Sequence, residues 1–335
     1  SRAAGDIRPR RALPCPRTGP AMPPPRSPTS ALADLEALAA AADPVIGLYG
    51  PRTISWQIYR EHACLLGGGR ALLLQLAHPA VAQGVADHSG YREDPLGRSQ
   101  RTFEVMYAIA FGDRETALRA GQRMRARHRG VEGALAEGRY DARDPALLLW
   151  VVATLIDTAA ACYQRFVGPL PDATLERFYA EQRPRFALYG LDPARTPATW
   201  AEFRGYFDAM VAGATLEVGE VTRAITRSVF GLAPSDYLQG ILARERGAGL
   251  ALLDHWPLRG LTLDAVGVLT AGMLPPRLRE GYGDTLPSGR LAALRYRSLL
   301  ATLTATYRTL PRSLRFVRQY LDACARLEAA GVSIG

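Results

Sequence analysis

Three of the chain's five histidines, His78, His88 and His128, fall in one stretch that also carries Arg98, Arg101 and Thr102. A neutral imidazole is a good iron ligand, and nearby guanidinium groups lower its proton affinity and help keep it neutral. On a helix from Asp113 to Arg129, at roughly 100° per residue, Ala117, Gly121, Met124 and His128 share one narrow stripe. Arginines 114, 119, 123, 125, 127 and 129 take the other faces. An alanine and a glycine one turn apart leave a shallow depression with His128 at its end. Such a stripe could hold a flat, iron-bearing cofactor, with Gly121 and Met124 against it and His128 on the metal. The helix C-terminus works the other way and favours the imidazolium. A buried or capping histidine suits the same residues, and taken alone they favour that plainer reading.

Arg98 and Thr102 lie one turn apart on the preceding helix, so they share a face, with Arg101 adjacent. An arginine aimed into an apolar pocket needs an anion, which a cofactor carboxylate or a bound oxygen species would supply; a solvated arginine face is the simpler alternative. His78, between a leucine-rich run and Pro79, is expected to be buried, and His88 to sit in a loop. Either could line the far side of a pocket, although satisfied core and loop histidines are commoner. Asp157, inside an apolar helix near Thr154 and Thr158, calls for an arginine from a neighbouring helix. Gly67, Gly68 and Gly69 could cradle phosphate at a helix start. No strand precedes them and no Lys-Ser/Thr follows, so close helix packing is the better reading. HExxH, ExxH, GxSxG and a strand-linked GxGxxG are all absent, which argues against zinc peptidase, di-iron, serine hydrolase and dinucleotide chemistry.

The elements that must position these residues read as helices. Leu72 to Gly133 reads as three in succession. Along the whole chain helical patterns cover 30–42, 55–66, 97–111, 113–129, 146–166, 172–189, 199–230, 235–245, 262–273, 289–308 and 311–329, punctuated by Pro44, Gly112, Gly130, Pro169, Pro171, Pro275, Pro276 and Pro311. Period-two alternation, hairpin turns of the Asn-Gly kind and internal repeats are not found. The expected fold is all-α, with a Pro/Arg-rich mobile tail over 1–30 and a single large multi-helix domain over 31–330.

Apolar content of 48% with 22% charged residues suits a folded globular chain. Every basic side chain is arginine, and part of the net charge of +9 comes from the tail, where six arginines face only Asp6. Because these arginines lack interleaved aromatics, no nucleic-acid partner is expected; the charge leaves room for peripheral contact with a membrane. The scattered cysteines 15, 64, 162 and 324 suit structural thiols in a reducing, cytoplasmic setting. No signal-peptide core is seen near the N-terminus. The most apolar run, Ala146 to Ile156, stops at Asp157, short of the roughly 20 residues a bilayer needs.

Several ordered segments resemble a known family: AHPAVAQGVADHS (77–89), DPLGRSQRT (94–102), FG (111–112), HRGVEG (128–133), YDARDP (140–145), LLWVVATLIDTA (148–159) and LTAGMLPPRLREGYG (269–283). Together they are similar to the catalytic domain shared by MpaB-type oxygenases and rubber oxygenases, the latex-clearing proteins, over about 45–325. The resemblance implies an all-helical protein binding haem b, with a globin-like helical core in the rubber-cleaving members, and O2 as co-substrate. It implies His128 as the proximal iron ligand, with Arg98 and Thr102 matching an Arg-x-x-x-Thr pair near the haem. Where relatives are expected to carry Trp-Val-His, this chain has Trp150-Val151-Val152.

The expected function is therefore that of a haem b oxygenase cleaving a carbon–carbon double bond in an isoprenoid-like or other lipophilic small molecule. His128 would bind iron; Arg98, Arg101 and Thr102 would order cofactor carboxylates or the distal side; His78 would line the pocket. The alternatives are a non-catalytic haem-carrying or sensing protein, a helical lipid-binding protein, and an anionic-surface binder acting through the arginine tail.

Overall fold

Helix starts here are set by side chains that accept the first free backbone N–H groups: Thr53, His78, Asp113, Asp144 and Thr199 each cap a helix in this way. The structure, a computed structural model, describes residues 28–92, 95–230 and 258–334, with side chains from 33–92, 101–230 and 265–334. Residues 1–27 of the expected tail and the helix expected at 235–245 lie outside the described residues.

The order is α1 (Pro28–Ala41), α2 (Ile54–Tyr59), a 3-10 segment (His62–Gly67), α3 (Gly68–Leu76), α4 (Pro79–His88), α5 (Pro95–Phe111) and α6 (Arg114–His128). A small antiparallel hairpin follows, β1 (Glu132–Ala134) and β2 (Arg139–Asp141), pairing Gly133 with Tyr140. Then come α7 (Pro145–Cys162) with a π-turn extension (Tyr163–Val167), α8 (Asp172–Gln182), α9 (Phe186–Tyr189), α10 (Trp200–Ala212) and α11 (Glu220–Phe230). The chain resumes with α12 (Leu258–Met273), α13 (Pro276–Tyr282), α14 (Gly289–Tyr307), α15 (Arg312–Arg315) and α16 (Arg318–Ala329).

The all-α expectation holds, with the hairpin as the exception. Strands of three residues are too short to print a period-two pattern, and Gly138, at φ 96°, makes a turn without Asn-Gly. The single helix expected over 199–230 is two, α10 and α11, separated by a segment containing Gly213 and Gly219. The one expected over 311–329 breaks where Phe316 bridges to Glu61.

The apolar run does not end at Asp157. The helix and its π turn run from Pro145 to Val167, 23 residues, long and apolar enough to cross a membrane by length and composition. Within this fold it is the central core helix, with Trp150, Ala153, Ile156 and Ala160 buried. Asp157 is tolerated there because Arg70 on α3 meets its Oδ2 at 2.7 Å and Arg204 on α10 pairs with its Oδ1. A second cluster joins α2, α5, α6 and α16, where Trp56 stands edge-on to Phe111 at 5.2 Å and to Tyr320 at 5.8 Å.

Candidate functional site

Helices α5 and α6 form a tight antiparallel hairpin, because only Gly112 and Asp113 separate them and Asp113 caps α6 through the Thr116 N–H at 2.7 Å. At 1.5 Å per residue, residues equally far from the turn lie level with each other. Arg98 is 13 residues before Phe111 (111 − 98) and His128 is 14 after Arg114 (128 − 114), so both stand at the open end. Arg101 and Met124, each 10 residues in (111 − 101 and 124 − 114), are level as well. The Arg98 side chain lies outside the described residues; Arg101 and Thr102 are exposed.

His128 is the last residue of α6 and half-buried. Burial pushes its imidazole below the usual histidine range, which favours the neutral form that a metal ligand must have. Desolvation does this, rather than the neighbouring arginines invoked from the sequence. Among the described residues neither ring nitrogen has a hydrogen-bond partner. Ala117 and Gly121, further back on the same stripe, leave no open depression. A Cβ at Gly121 would meet Leu188 of α9 at 2.9 Å, and Ala117 is wholly buried. The expectation of Gly121 against a cofactor face is therefore corrected: its glycine lets α9 approach. Because α9 is only four residues long, it covers the first half of the stripe, and Met124 and His128 are both half-buried. As a test of fit, His128 offers an imidazole shifted toward the neutral form that could hold iron, whereas the Gly121 end, filled by Leu188, does not suit a flat cofactor face.

The two other candidate histidines are occupied. His78 caps α4, its Nδ1 accepting the Ala80 N–H at 3.3 Å, and burial lowers its pKa against the opposing pull of Asp144. Half-buried rather than fully buried, it lines no part of the main cavity described next. His88 ends α4, with Nε2 at 3.2 Å from the Glu132 carbonyl and its ring edge-on to Tyr140. Tyr140 donates to Asp87 at 2.7 Å, and that bond holds the Asp87 carboxyl below its ordinary range. Asp87 and His88 thus fasten the β hairpin to α4.

The main cavity, of about 400 Å³, is a feature that composition and spacing did not announce. Helix α5 contributes Thr102, Phe103, Met106 and Tyr107; the glycine run Gly67–Gly69 forms another wall; Leu155 and Ala159 of α7 and Phe230 of α11 close it. The lining is mostly apolar, with Thr102, Arg227, Asp284 and Thr285 among its polar members, and among the described residues it includes no histidine. Of the predicted site residues whose side chains are described, only Thr102 is in it. The one sequence signal was the glycine run, read as close packing, and it does pack closely. A Cβ at Gly67 would strike Thr158 and Cys162, and one at Gly69 would strike Thr270. Val152, at the position where histidine is expected, is buried beside a water-sized space of about 30 Å³ shared with Tyr49, Tyr59 and Gln182.

Residues 56–326 match the family described as "ER-bound oxygenase mpaB/B'/Rubber oxygenase, catalytic domain". The chain is 26% identical over 255 residues to uncharacterized protein Mb2261 of Mycobacterium bovis and to uncharacterized protein Rv2237 of Mycobacterium tuberculosis. Each alignment covers 74% of this chain and 91% of the relative. No solved structure matches it.

Proposed function

Since the chain belongs to the oxygenase catalytic-domain family of mpaB and rubber oxygenases, we propose that it uses haem b and O2 to cleave a carbon–carbon double bond of a lipophilic, isoprenoid-like small molecule. The observation that carries the substrate half of this reading is the largely apolar cavity of about 400 Å³ against the Thr102 face of α5, a size and character suited to a small hydrophobic ligand. One alkene and one O2 give two carbonyl groups, so the reaction balances without a further reductant. Bound haem supplies the means of activating O2.

The chain's residues divide the remaining work. His128 would hold the iron through an imidazole whose neutral form desolvation favours. Arg98 and Arg101, level with His128 and Met124, would pair with the propionates. The cavity would orient the alkene and exclude water, with Thr102 at its edge. Cys64, Cys162 and Cys324 are free thiols, in keeping with the reducing, cytoplasmic setting that we propose.

Purified protein supplied with hemin is expected to show a Soret band that His128→Ala loses, and to consume O2 with isoprenoid alkenes. Met106→Trp, which narrows the cavity, should reduce O2 uptake and leave the Soret band. A protein that refuses hemin overturns the haem assignment. One observation favours a second reading: the described lining of the cavity is largely apolar and the expected iron ligand, His128, lies outside it, as a metal-free helical lipid-binding protein would have it. That reading predicts retention of a fluorescent lipid without hemin, its displacement by isoprenoids, and no O2 uptake.

A further inference from the structure

Helix α14 (Gly289–Tyr307) turns one face to the core and leaves the other bare. Its inner side packs Tyr296, Leu299, Leu300 and Leu303 against α12 and the π turn after α7. Leu291 and Leu294, 61% and 64% exposed, are the most exposed large apolar side chains among the described residues; Val45, Val221 and Leu310 follow at 37–39%. Three residues apart, they are neighbours on the helix surface. An isolated exposed leucine means little; two adjacent on one face form a small apolar patch whose use depends on what surrounds it.

The charge around them says what kind. From Gly289 to Val317 the chain has six arginines and no carboxylate. Arg315 is used by Glu61, Arg308 by the Val167 carbonyl, and Arg312 lies over the Phe316 ring. Arg290, Arg295 and Arg297 are exposed, with no ion-pair partner among the described residues. Leucines set among exposed arginines complement a surface that is apolar beneath and anionic above, which is the description of an anionic bilayer. The location adds to this. Asp284, Thr285, Leu286 and Pro287 line the main cavity, and Leu291 comes only four residues after Pro287 (291 − 287).

We propose that the Leu291/Leu294 face of α14 docks on anionic membrane, beside the chain segment that lines the cavity. That the docking delivers a lipophilic substrate rests on the function proposed above; the docking itself does not.

Full-length protein, without hemin, is floated with vesicles of phosphatidylcholine alone and of equal parts phosphatidylcholine and phosphatidylglycerol. It should float with the mixed vesicles only and be released by high salt. Removing Arg290, Arg295 or Arg297 as serine variants should weaken partition roughly fivefold each. Leu291→Ser/Leu294→Ser should weaken it roughly tenfold or more, with the unfolding midpoint unchanged because both side chains are exposed. If that midpoint falls, the arginine variants decide. Undiminished flotation of a folded leucine variant assigns the binding to charge alone, as for nucleic acid or the N-terminal arginines, and overturns the proposal. So does a solution dimer that the leucine variant dissociates, since the face then belongs to a second copy. Because vesicle binding needs neither haem nor turnover, either result leaves the oxygenase reading to its own test.

Discussion

His78 and His128 differ in what their neighbours ask of them. The Nδ1 of His78 accepts the Ala80 N–H that opens α4, and such a cap contributes about 1 kcal/mol. His78→Ala should lower stability by that amount in urea unfolding, and His78→Asn, with a capping oxygen in reach, should restore most of it. If both variants instead lose O2 uptake with stability intact, His78 regains the catalytic role expected from sequence. Burial lowers the pKa of both imidazoles. The unfolded chain therefore takes up protons near pH 6.5, where the folded protein resists them. Stability should be full above that pH and fall as pH drops below it. His128→Gln should flatten this acid limb in a pH series of thermal melts; an unchanged limb would mean that His128 is solvated. The residue types were legible in the sequence, but the direction of the His128 shift was not: arginines and the helix C-terminus pull opposite ways, and desolvation, which lowers the pKa, depends on what packs over the ring.

Among the elements, α3 and the 3-10 turn before it show why a glycine run can be structural. At Gly69 a Cβ would run into Thr270 of α12, whereas at Gly205 on α10 it would meet nothing within 4 Å. Gly69→Ala should therefore destabilise by about 1–3 kcal/mol through overpacking. Gly205→Ala should stabilise by about 0.5–1 kcal/mol through helix propensity; equal effects in urea melts would contradict the packing described for α3. Spacing alone could not tell these glycines apart, since the neighbour that distinguishes them is about 200 residues away (270 − 69). The same limit explains α7. That Asp157 needs an arginine from a neighbouring helix is legible in the sequence, but that Arg70 and Arg204 both supply one is not.

Across the whole molecule, Glu61 ties the first quarter of the chain to its end. Fully buried, it takes two hydrogen bonds of 2.8 Å from Arg315, 254 residues away, and a third from Tyr307. Breaking one side of such a pair leaves a buried charge uncompensated, so Glu61→Gln should cost about 3–5 kcal/mol. A two-state urea titration checks this; a loss below about 1 kcal/mol would show that the tie is solvated. Sequence by itself determined the helical class, most helix starts and breaks, the caps at Asp113 and Asp144, and the kinship with the oxygenase family, because these follow from local hydrogen bonding, periodicity and ordered motifs. Only the tertiary structure decided that Leu188 fills the Gly121 depression, that His78 caps rather than lines the cavity, and that α3, α5, α7 and α11 enclose that cavity. Those outcomes depend on which distant side chains occupy the same space, and no local pattern along the chain encodes that.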